Sequence, residues 1–288
     1  FDAAASATNK ALVTRAPFIQ AFIHLCDDGW LQGWHERNGG NLTYRMTEED
    51  VAKVRGGFDS EPREWVDLGF SEPTLANAYF LITGSGAYMH NVSASPIENI
   101  GIVEMNEAGS AYRVVWGLMN RKPTSELPTH IMNHAIRMKA TDGACRVIYH
   151  AHPNNIIAMT FVEPLDARTF SRALWKAMTE CVVVFPEGVG VVPWMVPGGN
   201  EIAKATSEQM KSYPAVIWAQ HGLFVSGADF DETFGLMHCI EKAADIYFRA
   251  RTMNGGSNEF LNTITDEGLA QIGVEFNVEI NKEFLDVQ

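Results

Sequence analysis

Two histidines one residue apart, His150 and His152, end an apolar run over Arg146 to Tyr149 and stand just before Pro153. Side chains two apart on a strand share a face, so both imidazoles can reach one ion. Taken alone, the pair reads as readily as two polar residues at a strand end. A third histidine, His221, follows a second apolar run, Ala215 to Gln220, and precedes Gly222. Strand ends can lie side by side however distant they are in sequence. Three imidazoles with a fourth position open are the donor set of a catalytic zinc, not of a closed structural one. A glycine after the third lets backbone come close to a ligand. The other histidines, His24, His35, His90, His130, His134 and His238, lack this strand-end context and are expected not to be ligands.

Thr124-Ser125-Glu126 stands where a helix opens. Helix N-termini expose unpaired amides and carry partial positive charge, so they hold phosphate well. Glu126 has two readings at this point. It is a first-turn acid favoured by the helix dipole, or it is a carboxylate beside a metal-held substrate and a general base. Asn38-Gly39-Gly40-Asn41 and Thr83-Gly84-Ser85-Gly86 each offer backbone amides in a turn, an arrangement that suits an anion and equally suits an ordinary loop. None of these motifs contains Lys or Arg. A phosphate held here rests on amides, hydroxyls, Asn side chains and a nearby cation.

The elements that position these residues follow from periodicity. A helix is expected over 15–35, with Phe18, Phe22, Leu25 and Cys26 on one face. Strands are expected at 41–46, 78–82, 99–105 and 111–116, the last two forming a hairpin through Asn106 to Gly109. The stretch 47–75 reads as an irregular surface excursion. A helix starts at Thr124 or Ser125 and carries Leu127, Ile131, Ala135 and Met138 as its apolar stripe. Further strands are expected at 146–149, 181–185 and 215–219, and helices near 153–160, 166–178, 200–211 and 231–250. Elements of both kinds alternate irregularly. The expected fold is therefore α/β, one layered domain over 1–288 with a mixed, largely antiparallel central sheet flanked by helices. The tail after Gly256 is expected to pack loosely.

Composition narrows the function classes. The chain has 288 residues, 46% hydrophobic and 20% charged, the balance of a protein with a full core. A net charge of −13 argues against a nucleic-acid binder, which would need a basic face to meet phosphates. It also means that an anionic substrate needs a local positive centre. No apolar run is long enough to span a membrane, and Phe1 to Ala5 carries no basic and apolar leader, so a cytoplasmic location is expected. Cys26, Cys145, Cys181 and Cys239 match no metal or redox spacing and are expected to be buried reduced thiols.

These motifs, in this order, resemble the class II aldolase and adducin family, specifically aldolases of the fuculose-phosphate type. The stretches GWHERNGGNLTYRM (33–46), TGSG (83–86), NIGIV (99–103), VWGL (115–118), PTSELPTH (123–130), VVFPEGVGVVPWMVPG (183–198) and DETFGL (231–236) carry the resemblance. It runs from about residue 17 to 250 and fades over 47–75 and after about 255. It implies metal-dependent retro-aldol cleavage of a ketose 1-phosphate. His150, His152 and His221 would hold one Zn²⁺, and Glu126 would be the acid/base. Asn38, Gly40, Asn41, Ser85, Gly86, Thr124 and Ser125 would line the phosphate pocket. Glu180 matches a second carboxylate that assists proton transfer, and reads equally as a surface acid. The resemblance further implies a homotetramer with active sites near subunit interfaces. Three rivals stand beside this reading. A sugar-phosphate 4-epimerase would use the same scaffold and bond cleavage, and an adducin-like scaffold would need no metal ligands. A zinc hydrolase is disfavoured because no His-Glu-x-x-His helix is present.

Overall fold

The computed structural model describes residues 2–287, with side chains from residue 8. Nine strands form one sheet: β1 (Asn41–Arg45), β2 (Val66–Asp67), β3 (Tyr79–Thr83), β4 (Ile100–Met105), β5 (Ala111–Gly117), β6 (Val147–Ala151), β7 (Gly190–Val192), β8 (Ala215–Trp218) and β9 (Gly222–Gly227). Their order is β2-β5-β4-β3-β1-β6-β9-β8-β7. All neighbours are antiparallel except β7 and β8. The expected mixed, largely antiparallel sheet is thus present, including the β4–β5 hairpin.

The helices are α1 (Asp2–Val13), α2 (Pro17–Leu31), α3 (Glu48–Val54), α4 (Pro96–Asn99), α5 (Leu127–Ala140), α6 (Asn154–Met159), α7 (Ala167–Ala177), α8 (Thr179–Val184), α9 (Asn200–Met210), α10 (Phe230–Met253) and α11 (Asp266–Glu275). One face of the sheet packs on α5, whose Leu127, Ile131 and Ala135 meet Phe80, Ile82 and Val103, and on α9. The other face, through Leu42, Tyr149, Leu223 and Val225, packs on α2, α6, α7, α8 and α10. Strand alternation therefore sends Asn41, Thr43 and His150 toward α5 while Leu42, Tyr44 and Tyr149 enter the larger core. This is the step by which period-two patterning builds the site.

Four expectations are corrected. Residues 181–185 are not a strand. Cys181, Val182 and Phe185 are fully buried while Val184 is exposed, a helical spacing realised in α8. A five-residue apolar run carries too little periodicity to separate the two. The stretch 47–75 is not merely irregular. Thr47 accepts from the Asp50 amide and Asp50 accepts from the Thr47 amide, a reciprocal cap that opens α3. The α5 helix starts at Leu127, with Glu126 as its N-cap residue, not at Thr124 or Ser125. The tail is packed rather than loose. Leu269 is fully buried, Ile280 and Phe284 nearly so, and Asp266 pairs with Arg172 at 2.7 Å and Lys176 at 2.6 Å. The two cations, Arg172 foremost, hold the Asp266 carboxyl well below the usual carboxylate range.

Replacing Asp266 with Ala leaves Lys176 of α7 without its carboxylate and Arg172 with only Asp286 and the Phe284 carbonyl. The expected cost is about 1–3 kcal/mol, concentrated in the tail. Thermal melting and limited proteolysis check it: the variant melts a few degrees lower and is cut first beyond residue 255. An unchanged cleavage pattern would show that apolar packing alone docks the tail.

All four cysteines are free; Cys26, Cys145 and Cys181 are buried as expected, whereas Cys239 is only half-buried. No helix among the described residues is long and apolar enough to cross a membrane.

Candidate active site

The site is assembled from four places in the chain. His150 lies inside β6, opposite Asn41 of β1 on one side and Phe224 of β9 on the other. Its ring stacks on Phe224 with centroids 4.2 Å apart. His152 follows the end of β6. His221 sits in the tight connection between β8 and β9, next to Gln220, whose φ is +53°. That turn is held by Thr160, which accepts from the Gln220 amide at 3.0 Å. Gly222 is required by contact: a Cβ there would stand 2.4 Å from the Ala151 carbonyl oxygen and 3.0 Å or less from the rings of His150 and His152. The close backbone approach expected at this glycine is thus to the other two histidines.

The three rings converge through Nε2. His150 Nε2 lies 3.3 Å from His221 Nε2 and 3.2 Å from His152 Nε2, and the donor atoms of all three fall within 4.8 Å of one another. A tetrahedral ion with metal–nitrogen bonds of about 2.0–2.1 Å sets its ligand nitrogens about 3.3 Å apart. The ring tautomers agree. His150 Nδ1 donates to the Leu223 carbonyl at 3.1 Å, and His152 Nδ1 donates to Glu36 Oε1 at 2.6 Å. In both rings Nε2 is left as a lone pair aimed at the common centre. Burial, then the neighbouring imidazoles, push His150 well below the usual histidine range. His221 is lowered to about 4, by burial first and His152 second. Three imidazole nitrogens converging beside a carboxylate form a donor set that fits a divalent cation. The six other histidines stand outside this cluster.

Glu126 completes the centre. Its carboxylate is buried, with Oε2 3.6 Å from His150 Nε2 and Oε1 3.8 Å from His221 Nε2. It makes no capping hydrogen bond to its own helix. Asn41 Nδ2 donates to Glu126 Oε2 at 2.6 Å. Burial raises the Glu126 carboxyl above its ordinary value, while this hydrogen bond and the His152 charge oppose the rise. Of the two readings of Glu126, the geometry has its carboxylate turned toward the three histidines and making no cap bond to the helix.

The phosphate-pocket candidates fall in two groups. Ser85 and Gly86 lie beside Thr124 and Ser125 because the Thr124 amide donates to the Thr83 carbonyl at 3.0 Å and the Ser85 amide to the Lys122 carbonyl at 2.7 Å. Ser85 and Ser125 are exposed and Thr124 is buried. Asn38 and Gly40 lie on the turn before β1. Gly40 adopts φ +78° against the ring of His35, which anchors the turn by donating to Gly39. Asn38 is exposed. Asn41 has its amide engaged with Glu126 and His130. Glu180 is exposed on α8 and makes no hydrogen bond or ion pair among the described residues.

Sequence reasoning missed three contributors. Arg121 donates to the Ser85 carbonyl at 3.2 Å, so a cation does stand at the TGSG turn. Arg63, from the supposed excursion, donates to the Arg121 carbonyl at 2.6 Å and to Met119, pinning a connection in which Leu118 and Met119 have positive φ. Glu36 orients His152. Of these, Glu36 and Arg121 had a signal, lying within two residues of motifs already singled out. Arg63 had none.

This fold and this centre define a class, and residues 20–248 match the model of the class II aldolase and adducin N-terminal domain. The chain belongs to that family. Among its relatives, the rhamnulose-1-phosphate aldolase of Shigella sonnei (strain Ss046) is 45% identical over 267 residues, covering 92% of this chain and 96% of that protein. The protein of the same name from Escherichia coli O7:K1 matches to the same extent. A sugar-phosphate aldolase from Thermotoga maritima superposes with a TM-score of 0.68 at 28% identity, covering 82% of this chain and 95% of that one. An L-fuculose 1-phosphate aldolase shares the fold with a TM-score of 0.58 at 21% identity, covering 90% and 95%.

Proposed function

We propose that this aldolase cleaves L-rhamnulose 1-phosphate to dihydroxyacetone phosphate and L-lactaldehyde, reversibly, with zinc at His150, His152 and His221. The observation that carries the reading is the buried Glu126 carboxylate within 4 Å of two converging imidazole nitrogens. The sugar is argued from the 45% identity to rhamnulose-1-phosphate aldolases over nearly the whole of both chains.

Cleavage of the C3–C4 bond leaves negative charge on the three-carbon phosphate fragment. The metal, when bound, supplies Lewis-acid stabilisation of that charge. As the C3–C4 bond breaks its electron pair stays on C3, the C4 hydroxyl releases its proton to solvent to become the aldehyde, and Glu126 delivers a proton to C3; synthesis runs these steps in reverse. Burial raises the Glu126 carboxyl above the ordinary value, the direction that favours holding and passing on a proton. Ser85, Thr124 and Ser125, with Asn38 and the amides of Gly40 and Gly86, grip the phosphate, and Arg121 adds positive charge behind Ser85. That grip fixes C3 against Glu126, and positioning of this kind contributes several kcal/mol. No lysine is needed. Glu180 makes no hydrogen bond or ion pair to the site among the described residues, so we assign its role as an assisting carboxylate to the site of a neighbouring subunit in a homotetramer. The whole of residues 1–288 serves as one catalytic domain, in a cytoplasmic enzyme.

The test is a coupled assay for dihydroxyacetone phosphate on a panel of ketose 1-phosphates with zinc supplied. The expected result is release of the aldehyde, with the highest kcat/KM on L-rhamnulose 1-phosphate. Preference for L-fuculose 1-phosphate would reassign the sugar. An inverted sugar with no free aldehyde would make the chain a 4-epimerase.

A further inference from the structure

Behind Glu126 runs a line of buried polar side chains that the reaction as written leaves without a task. Asn41 Nδ2 meets Glu126 Oε2 at 2.6 Å, and Asn41 Oδ1 meets His130 Nε2. His130 Nδ1 lies 2.7 Å from Thr43 Oγ1, which lies 2.8 Å from His134 Nε2. Asn41 and Thr43 come from one face of β1, and His130 and His134 are one turn apart on α5.

The direction of every bond in this line follows from its end. An ionised carboxylate only accepts, so Asn41 must turn its NH₂ to Glu126 and its carbonyl oxygen to His130. His130 then donates from Nε2. Burial lowers it to about 3, so the ring is neutral and Nδ1 is a lone pair that accepts from the Thr43 hydroxyl. Thr43 in turn accepts from His134 Nε2. His134 Nδ1 is buried with no hydrogen-bond partner. The opposite direction would place an N–H there with nothing to receive it, and orphaned buried N–H donors are rare. The far end of the line thus permits only the polarity that presents an NH₂ to Glu126. Two buried neutral histidines also serve stability poorly, since apolar residues fill such space without desolvating polar atoms.

We infer that His130, backed by Thr43 and His134, is a positioning residue that locks the Asn41 amide with its NH₂ on Glu126 Oε2, leaving Oε1 as the oxygen that exchanges a proton with the substrate carbon. This rests on the reading of Glu126 as the acid/base. Asn41, taken from the sequence as part of the phosphate pocket, acts here on the carboxylate instead.

The experiment follows exchange of the C3 proton of dihydroxyacetone phosphate with deuterated solvent, using zinc-loaded full-length chain. His130→Phe keeps a ring beside Phe224 and removes the donor. Exchange is expected to fall roughly 10–100-fold, the scale of a misplaced catalytic group, with zinc content unchanged and KM for the sugar phosphate moving far less than kcat. His130→Gln, whose side-chain amide can still donate to Asn41, is expected to recover most of the rate. In an Asn41→Ala background, His130→Phe is expected to cost nothing further, because its effect passes through Asn41. Full additivity, or wild-type exchange in His130→Phe, overturns the inference. Should that variant not fold, ring ¹⁵N NMR of the wild type decides: Nε2–H is expected on His130, and Nδ1–H overturns the assignment. Glu126→Gln separates the two levels. If it exchanges normally, the acid/base reading itself falls. If it is inert while His130→Phe exchanges normally, only the positioning role falls.

Discussion

Glu126→Gln lowers aldol cleavage by roughly 10²–10⁴-fold, the contribution of a positioned acid/base, while fold and metal content persist. Glutamine matches the volume and can still accept the Asn41 hydrogen bond, so the buried line behind it keeps its polarity. What it loses is the capacity to take up a proton. The measurement that isolates this step is C3 proton exchange of dihydroxyacetone phosphate with no aldehyde present. Rapid exchange is expected in the wild type and almost none in the variant. A helix-dipole role would cost only about 0.3–1 kcal/mol of stability and leave exchange intact. The absence of any cap bond from the Glu126 side chain to α5 already argues against that role. Wild-type exchange in a folded, zinc-loaded variant would move the base elsewhere, and Glu180 would be the next residue to replace.

The second large effect is on the metal. Chelation abolishes cleavage and Zn²⁺ restores it in the wild type, while His221→Ala drops a three-nitrogen site to two and is not restored. Its loss of zinc affinity exceeds the roughly 10–100-fold expected for Glu36→Ala, which removes only the partner that orients His152. Acidification works in the same direction, because a protonated imidazole cannot bind metal. The folded-state values of His150 and His221 are depressed, so both rings are neutral at pH 7. In metal-free protein His221 is half protonated at about pH 4, so proton competition at this ring grows as the pH falls toward that value. Zinc content after gel filtration across a pH series measures this. Full activity in metal-free protein, or full zinc occupancy in the His150→Ala, His152→Ala double variant, would remove the metal from the mechanism.

How much of this was legible in advance depended on the range of the interaction. Strand alternation is local, so the shared direction of His150 and His152 and the antiparallel β4–β5 hairpin could be read from residue order. The capping box at Thr47 and Asp50 is equally local, but the polar composition around it reads as a loop. The α8 helix was illegible for another reason: Cys181 to Phe185 is apolar throughout, and only the depth of burial on each side separates a short helix from a strand. The tail looked loose because its anchors, Arg172 and Lys176, lie about a hundred residues upstream.

The order of residues alone determined the chemistry available to this protein: three imidazoles at strand ends, an acid at a helix start, and glycine turns fit for an anion. Those choices are made by side-chain type and by periods of two and 3.6 residues, which need no partner to be read. Tertiary structure alone decided that β8 and β9 fold His221 onto the end of β6, with Gly222 allowing the approach. It alone turned Glu126 away from its helix toward those rings, brought Arg121 to Ser85, and joined His130 to Asn41 across the gap between α5 and β1. These are contacts between segments far apart in the chain. Their geometry is set by sheet register and helix packing, and no short window of sequence contains both partners.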